Sequence, residues 1–374
     1  MPKGIVKDLD KGFYAEARRN KKNALAYLTE KVNPEPPEIE RIEKRLIARH
    51  SRGRDLAGTV LEKNLGEYAW MLAGLEKEMA VRGISRDDTV EKAFFSSANG
   101  PNQPLFPVFL ASQIIAGQLA SSLVPELCLT EVKVSSHVQE KVQIADTTAT
   151  RQLRHIGEGV DLPKTTIAKT DGSVRLQKYG RLLEASYEAV RLLHLDIIAL
   201  QFQRMGRQMG IDETDDLIET LVAGDGNTST AATNTAVATS GTLLYSDLIR
   251  LFQAFGIGYE MRRCVVNDTH LRTMLNMAEL KDPIAFRNSF QSSGQIPMAL
   301  GAHWHRWTST GSSSYSTDKI LALDERSGIV CLREGDFLEE SDSLIEKQIQ
   351  QRTMSEWVGF MVWDPASNQT LTVG

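Results

Sequence analysis

Residues 176–210 read LQKYGRLLEASYEAVRLLHLDIIALQFQRMGRQMG, and residues 217–227 read LIETLVAGDGN. Between Ser186 and Met209 there is no proline and one internal glycine, Gly206. At 1.5 Å per residue this stretch predicts a helix of roughly 36 Å. Its apolar positions form two stripes, one of Val190, Leu193, Ile197 and Leu200, the other of Leu195, Ile198, Phe202, Met205 and Met209. Such a helix is expected to be covered on two sides and to act as a beam. His194 falls between the stripes, where a satisfied core histidine is expected. A second helix, from Asp212 to Ala223, is expected to end at Gly224-Asp225-Gly226, where glycine supplies a left-handed cap.

Upstream, the alternating runs from Leu127 to Val134 and from Val142 to Ile144 read as strands. A polar stretch follows from Thr147 to Lys164. Thr166–Thr170 and Ser173–Lys178 then flank Asp171-Gly172, a hairpin signal because both turn positions tolerate positive φ. The ribbon bears charges on both faces: Arg151, Arg154, Glu158, Lys164, Lys169, Arg175 and Lys178. It has too little apolar surface to stand alone, so neighbouring subunits are expected to hold it.

Downstream, Asn227–Thr242 is a Thr, Ala and Ser tract read as a loop. Ser246 is expected to cap a helix from Asp247 to Phe255. Arg263–Val266 reads as a strand, and Asp268 as the cap of a helix reaching Leu280. Gly328–Arg333 and Trp357–Asp364 read as further strands.

This ordered series resembles the major capsid proteins of tailed bacteriophages, the Hong Kong 97 capsid fold, over residues 100–374. The resemblance implies an α+β chain in which residues 146–182 are the extended β-hairpin loop that lies over a neighbouring subunit. It places the peripheral domain with its spine helix at 183–240, an axial domain at 241–320 and return strands to the peripheral domain at 321–374. Residues 96–145 would be an N-terminal arm and first strands. Residues 1–95 would be a scaffold-like helical segment, of the kind a phage protease removes, with a cut expected near 94–101. The seven charged residues of the ribbon would make inter-subunit contacts. Implied partners are other copies in hexamers and pentamers, a portal, scaffold, protease or decoration proteins, and packaged double-stranded DNA bound without sequence specificity. The implied location is the virion, with assembly in the bacterial cytoplasm. Some members of the family join a loop lysine to a neighbour's asparagine; Lys164, Lys169, Lys178 and Asn368 are the positions to consider.

The N-terminal segment itself reads as helical. Asn33-Pro34-Glu35-Pro36-Pro37 interrupts it, and Leu61, Leu65, Tyr68, Leu72, Leu75 and Met79 recur at heptad-like spacing. Packing within its own domain and pairing with other copies both fit this seam. The first 92 residues carry a basic surplus and the remainder is acidic, so the overall charge of -5 hides two electrostatic halves. Over 374 residues, three cysteines are too few for a disulfide scaffold. The most apolar run, 105–125, is interrupted by Gln113 and Gln118 and suits an amphipathic helix better than a membrane span. Nothing at the N-terminus reads as a secretory signal.

Catalytic patterns are sparse. His303-Trp304-His305 would put two imidazoles on one face of a strand, as a metal site can use, but no third ligand lies nearby. A metal-dependent enzyme using His303 and His305 is therefore the remote alternative, and an encapsulin-like nanocompartment shell the near one. The glycines at 256 and 258 and at 224 and 226 lack the remaining residues of nucleotide loops and read as caps. Cys128, Cys264 and Cys331 read as buried. No catalytic residue, cofactor or metal is assigned.

Overall fold

The structure is a computed structural model that describes residues 11–20, 22–51, 59–95, 102–140, 155, 172–186, 192–224, 231–281, 298–307, 318–335, 338–344 and 349–374. The chain is mixed α+β. Helices α1 (Lys11–Arg19), α2 (Ala24–Val32), α3 (Pro36–Ser51), α4 (Val60–Val81) and α5 (Leu105–Ser121) come first, and a short α6 (Val124–Leu127) leads into the strands. Two five-stranded sheets follow. One has the order β1 (Thr130–Val134), β9 (Ile329–Glu334), β11 (Ile349–Val362), β10 (Leu338–Leu344), with β4 (Gln177–Ser186) also on β11, and the other the order β5 (Thr233–Ala236), β12 (Asn368–Thr372), β8 (Lys319–Leu323), β6 (Arg263–Val266), β7 (His303–Arg306).

The beam is longer than expected and starts later. Residues 177–186 form strand β4 (Gln177–Ser186), and one continuous helix, α7, runs over Leu195–Ala223, 29 residues. The expected start at Ser186 and the break before Asp212 are both corrected. The run Leu182-Leu183 fits strand as well as helix, and β4 is fixed by pairing along β11 (Ile349–Val362), from Gln177 opposite Val358 to Ser186 opposite Ile349. Gly210 does not end the helix because it is a contact residue. A methyl group added there would lie 2.5 Å from Ser121 Oγ, one on Gly206 2.0 Å from the Ile114 carbonyl oxygen, and one on Gly117 2.2 Å from that of Gln203. Helices α5 and α7 therefore cross backbone to backbone, with Gln203 Nε2 donating to Gln113 Oε1 at 2.8 Å and Ser121 Oγ donating to the Arg207 carbonyl at 2.9 Å.

Helix α5 is buried nearly all round, from Leu105 through Ser112 and again at Ile114 and Gly117, so the expected amphipathic helix is a central one. What covers it is the N-terminal segment. Phe13, Leu25, Leu28, Met71, Leu75 and Phe94 share one core with Phe106, Phe109 and Ile114 of α5 and with Leu195 and Ile198 of α7. The heptad-like seam is buried throughout, partly in this core and partly in a second where Leu61, Leu65, Tyr68 and Leu72 meet Ile42 and Leu46. Packing within the chain is the reading that holds. The expected cut site largely lies outside the described residues, but its flanks bind each other: Phe94 packs on Phe106 with ring centroids 5.3 Å apart, and Asn102 Nδ2 donates to the Ala93 carbonyl at 3.2 Å.

The C-terminal half of α7 lies against both sheets, with Leu217, Ile218 and Leu221 packed on Leu321, Leu323, Cys331, Val358 and Phe360. Beyond the second sheet, α8 (Tyr245–Gln253) and α9 (Asp268–Asn276) enclose a third core with Cys264, Val266, Trp304 and Ile320. Several local expectations shift. Asp247, not Ser246, closes the start of α8, accepting from the amides of Leu244 (3.1 Å) and Ala238 (3.0 Å). Asn267 rather than Asp268 caps α9, accepting from the His270 amide at 2.8 Å. Part of the expected 227–242 loop is an edge strand, β5 (Thr233–Ala236), parallel to β12 (Asn368–Thr372). It shows no apolar period because hydroxyl contacts hold it, with Thr372 Oγ1 donating to Asn234 Oδ1 at 2.7 Å. Accordingly β12 joins the second sheet, while β9 (Ile329–Glu334) and β11 join the first. Among the described residues no helix is long and apolar enough to cross a membrane.

The crossing makes a direct prediction. Gly206→Ala forces a side chain into the Ile114 carbonyl and is expected to cost about 1–3 kcal/mol or more by denaturant unfolding. Gly256→Ala, where a methyl group meets nothing within 4 Å, is expected to stay within about 0.5 kcal/mol of the parent.

Candidate functional site

A short ladder lies where the projection is expected to leave the body of the chain. Strands β2 (Val138–Glu140) and β3 (Ser173–Arg175) pair antiparallel, with Val138 opposite Arg175, and the chain passes directly from β3 into β4. The outgoing arm at the root is therefore 138–140; the expected arm 166–170 lies outside the described residues. Of the seven expected contact residues, Arg151, Arg154, Glu158, Lys164 and Lys169 also lie outside them. Arg175 and Lys178 are at the root and exposed. The Lys178 ammonium sits 5.7 Å from the centroid of the Trp357 ring, a cation–π contact, and His137 stacks on the same ring at 4.1 Å while pairing with Glu334. Val132, Val138 and Leu182 leave apolar surface open around this platform.

Behind the root, four consecutive polar residues of α7 each tie down a different element. Glu213 Oε1 accepts from Gln118 Nε2 of α5 (2.7 Å) and from Arg333 Nη1 of β9 (3.2 Å). Thr214 Oγ1 accepts from the Leu123 amide at 3.0 Å. Asp215 accepts from the indole of Trp307 at 2.6 Å, just beyond β7 (His303–Arg306). Asp216 accepts from the Tyr179 hydroxyl of β4 at 2.6 Å. Sequence reasoning missed this cluster because three acids within four residues, separated only by Thr214, ordinarily form a solvated face, yet Glu213 is only 1% exposed.

Arg333 is the hub. Besides Glu213 it donates through Nε to Glu131 on β1 (Thr130–Val134) at 2.9 Å and through Nη1 to Glu356 on β11. Gln118 Nε2 also reaches Glu356 at 3.0 Å, and Asn64 of α4 donates to Glu131 at 3.1 Å. One guanidinium thus faces three carboxyls. Burial, and next the Glu356 carboxylate, push the Glu213 carboxyl well above the usual range, favouring its protonated form. Burial also works against charge on Glu131, but Arg333 and the Asn64 amide outweigh it and hold that carboxyl below its ordinary value.

The other candidates are not brought together as catalytic centres. His305 Nε2 lies 3.6 Å from Glu126, but the same carboxylate oxygen already faces Arg263 at 3.5 Å, a cation that disfavours metal binding there. Among the described residues no group of three or more His, Cys, Asp or Glu side chains is placed to hold a metal ion. His194 is not a core residue: it precedes α7, exposed, with Nδ1 3.1 Å from the Asp87 carbonyl oxygen. All three cysteines are buried, and burial pushes the Cys264 and Cys128 thiols up, away from reactivity. Asn368 is 1% exposed, donating to the Asp364 carbonyl at 3.3 Å, and so is not presented to a neighbouring lysine.

The hub predicts a pH signature. Folding raises the Glu213 pKa above its unfolded value near 4.5, so its stabilising contribution is complete below that pH and is lost as pH rises through the folded value. Glu213→Gln imitates the protonated carboxyl, so urea unfolding is expected to show the variant gaining on the parent from pH 5 to pH 8. Arg333→Ala strands three carboxyls and is expected to cost about 3–5 kcal/mol at neutral pH, with partial recovery on acidification.

Comparison with known proteins places this geometry. The pattern of a phage capsid protein family matches residues 170–326, which include α7 and every strand of the second sheet except β12. No curated protein matches the chain. Among solved structures, the capsid of a native GTA particle is similar at 14% identity, covering 67% of this chain and 89% of that one, with a TM-score of 0.48. The Microbacterium phage Oxtober96 structure is similar at 13%, 67% and 91%, also 0.48. The SrpI encapsulin of Synechococcus elongatus PCC 7942 is similar at 12%, 65% and 84%, with 0.45. It is over residues 170–326, by sequence pattern, that this chain is similar to a phage capsid protein family.

Proposed function

We propose that the chain is the major capsid protein of a tailed phage or prophage, assembling in the host cytoplasm into an icosahedral shell around double-stranded DNA. The observation that carries this reading is the capsid family pattern over residues 170–326. The structure supplies surfaces suited to it. The stripe expected to be covered is open in the single chain, with Ile197 and Leu200 of α7 exposed, Leu200 at 60%, and Leu193 exposed just before the helix. Apolar groups aligned on a rigid helix are where a second copy gains contact area. The exposed root charges Arg175 and Lys178 add contacts of ~0–1 kcal/mol each, weak singly and additive around a closed lattice.

The N-terminal helices serve this shell as part of its wall. They cover α5 and the start of α7, so a role as a temporary, detachable scaffold does not suit their packing. Portal, protease and decoration proteins remain partners in the proposed assembly, contacting the closed shell.

Electron microscopy and sedimentation of the purified chain test the reading. Closed shells with five- and six-fold capsomers are expected, and a stable monomer with no ring or shell would contradict it. Protein cargo instead of nucleic acid inside the shells would favour a nanocompartment. Ile197→Glu with Leu200→Glu alters exposed positions, so the subunit is expected to keep its stability within about 0.5 kcal/mol. Particle yield is expected to fall by on the order of tenfold as the stripe becomes charged.

A further inference from the structure

Where the N-terminal helices lean over the crossing of α5 and α7, they leave a cavity of about 250 Å³. Its floor is formed around Tyr68, Leu72 and Gly117, and four arginines line it: Arg45 and Arg49 one turn apart on α3, Arg86 just after α4, and Arg207 on α7. His50 adds a further nitrogen heterocycle. No carboxylate is among the lining side chains. At the edge, Glu76 is shared by Arg45 and Arg86, each at 3.4 Å. Arg49 and Arg207 make no ion pair among the described residues.

Three separate stretches of sequence thus bring like charges to one concavity, and one carboxylate answers four guanidiniums. Converging cations repel, so a fold keeps such an arrangement at a cost in stability unless an anion occupies it. The geometry points to a phosphate-binding site: we propose that this cavity takes a phosphoryl group bearing two or more negative charges. A carboxylate offers two oxygens and one charge and would leave most of the guanidiniums unanswered. A phosphoryl group offers three oxygens and accepts from several planar forks at once. A cavity of 250 Å³ has room for a pyrophosphate or for the terminal phosphomonoester of a nucleic acid strand, and is far too small for a duplex. The bound anion would also bridge α3 to α7, locking the N-terminal helices onto the long helix. The site is built by one chain and stands whether or not the chain forms shells.

Calorimetric titration of the intact chain with pyrophosphate, at ionic strength matched with chloride, is the test. Saturable binding at one site per chain is expected. Arg49→Gln with Arg207→Gln is expected to weaken it by about tenfold or more, because charge-assisted hydrogen bonds are lost. Both arginines are exposed and make no ion pair among the described residues, and their loss relieves repulsion among the converging cations, so the melting temperature in chloride should not fall. Arg204→Gln, an exposed arginine of α7 outside the cavity, is expected to bind as the parent does. Fluorescence anisotropy with a single-stranded oligonucleotide labelled at its 3′ end and bearing a 5′-phosphate separates the sources. Binding that is lost in the double variant assigns the site to a nucleic-acid terminal phosphate, and binding that is unchanged assigns it to free polyphosphate. Absence of saturable pyrophosphate binding together with oligonucleotide binding indifferent to the double variant would overturn the proposal, as would pyrophosphate binding that the double variant leaves intact.

Discussion

The close crossing of α5 and α7 is the constraint on which the remaining structure depends. Two helices whose backbones meet at Gly117 and Gly206 admit no side chain between them, which fixes their separation and their register. The N-terminal helices can then cover only the outer faces of α5, and the cavity with its arginines is the space left above the crossing. At the other end, the register places Glu213 of α7 beside Gln118 of α5, one turn from the crossing, where Arg333 can reach both carboxyls of the Glu213–Glu356 pair. A packed core of this kind transmits a displacement at one end to the other.

The two halves of α7 do different work. Its first half is anchored on one side by the core shared with Phe106 and Ile114 and bears an open apolar stripe on the other. Its second half is surrounded, with a hydrogen bond or ion pair from Glu213, Asp215 and Asp216 to a different strand or strand end in each case. The exposed stripe and the projection root are therefore carried by a rigid body. That is what a lattice of individually weak contacts requires, since flexible subunits would lose ordering entropy at every contact.

The apolar patterning made the beam legible, and the Arg263–Val266 strand was found with its bounds intact because four buried apolar or snorkelling residues follow one another. Boundaries failed where two structures compete for the same residues: Leu182 and Leu183 satisfy helix and strand periods alike, and only pairing with β11 decides. The break expected between Met209 and Asp212 does not occur because Gly210 makes room there for α5, a property that is tertiary. The junction was illegible for the same reason. Nothing local marks Glu213 as buried; its partners Arg333 and Glu356 lie more than a hundred residues away. The scaffold-like reading of residues 1–95 came with the family resemblance, their helical seam and their charge, and none of these reports that Phe94 and Phe106 share a core.

The central claim is that the N-terminal helices, α5 and α7 are one continuous body. A site-specific protease sequence placed between residues 96 and 101, followed by complete cleavage and gel filtration under native conditions, tests it most directly. The two fragments are expected to co-elute and to separate only in denaturant, because the buried aromatic and aliphatic contacts across the cut remain. Release of residues 1–95 as a free fragment, with the remainder still folded, would contradict the account.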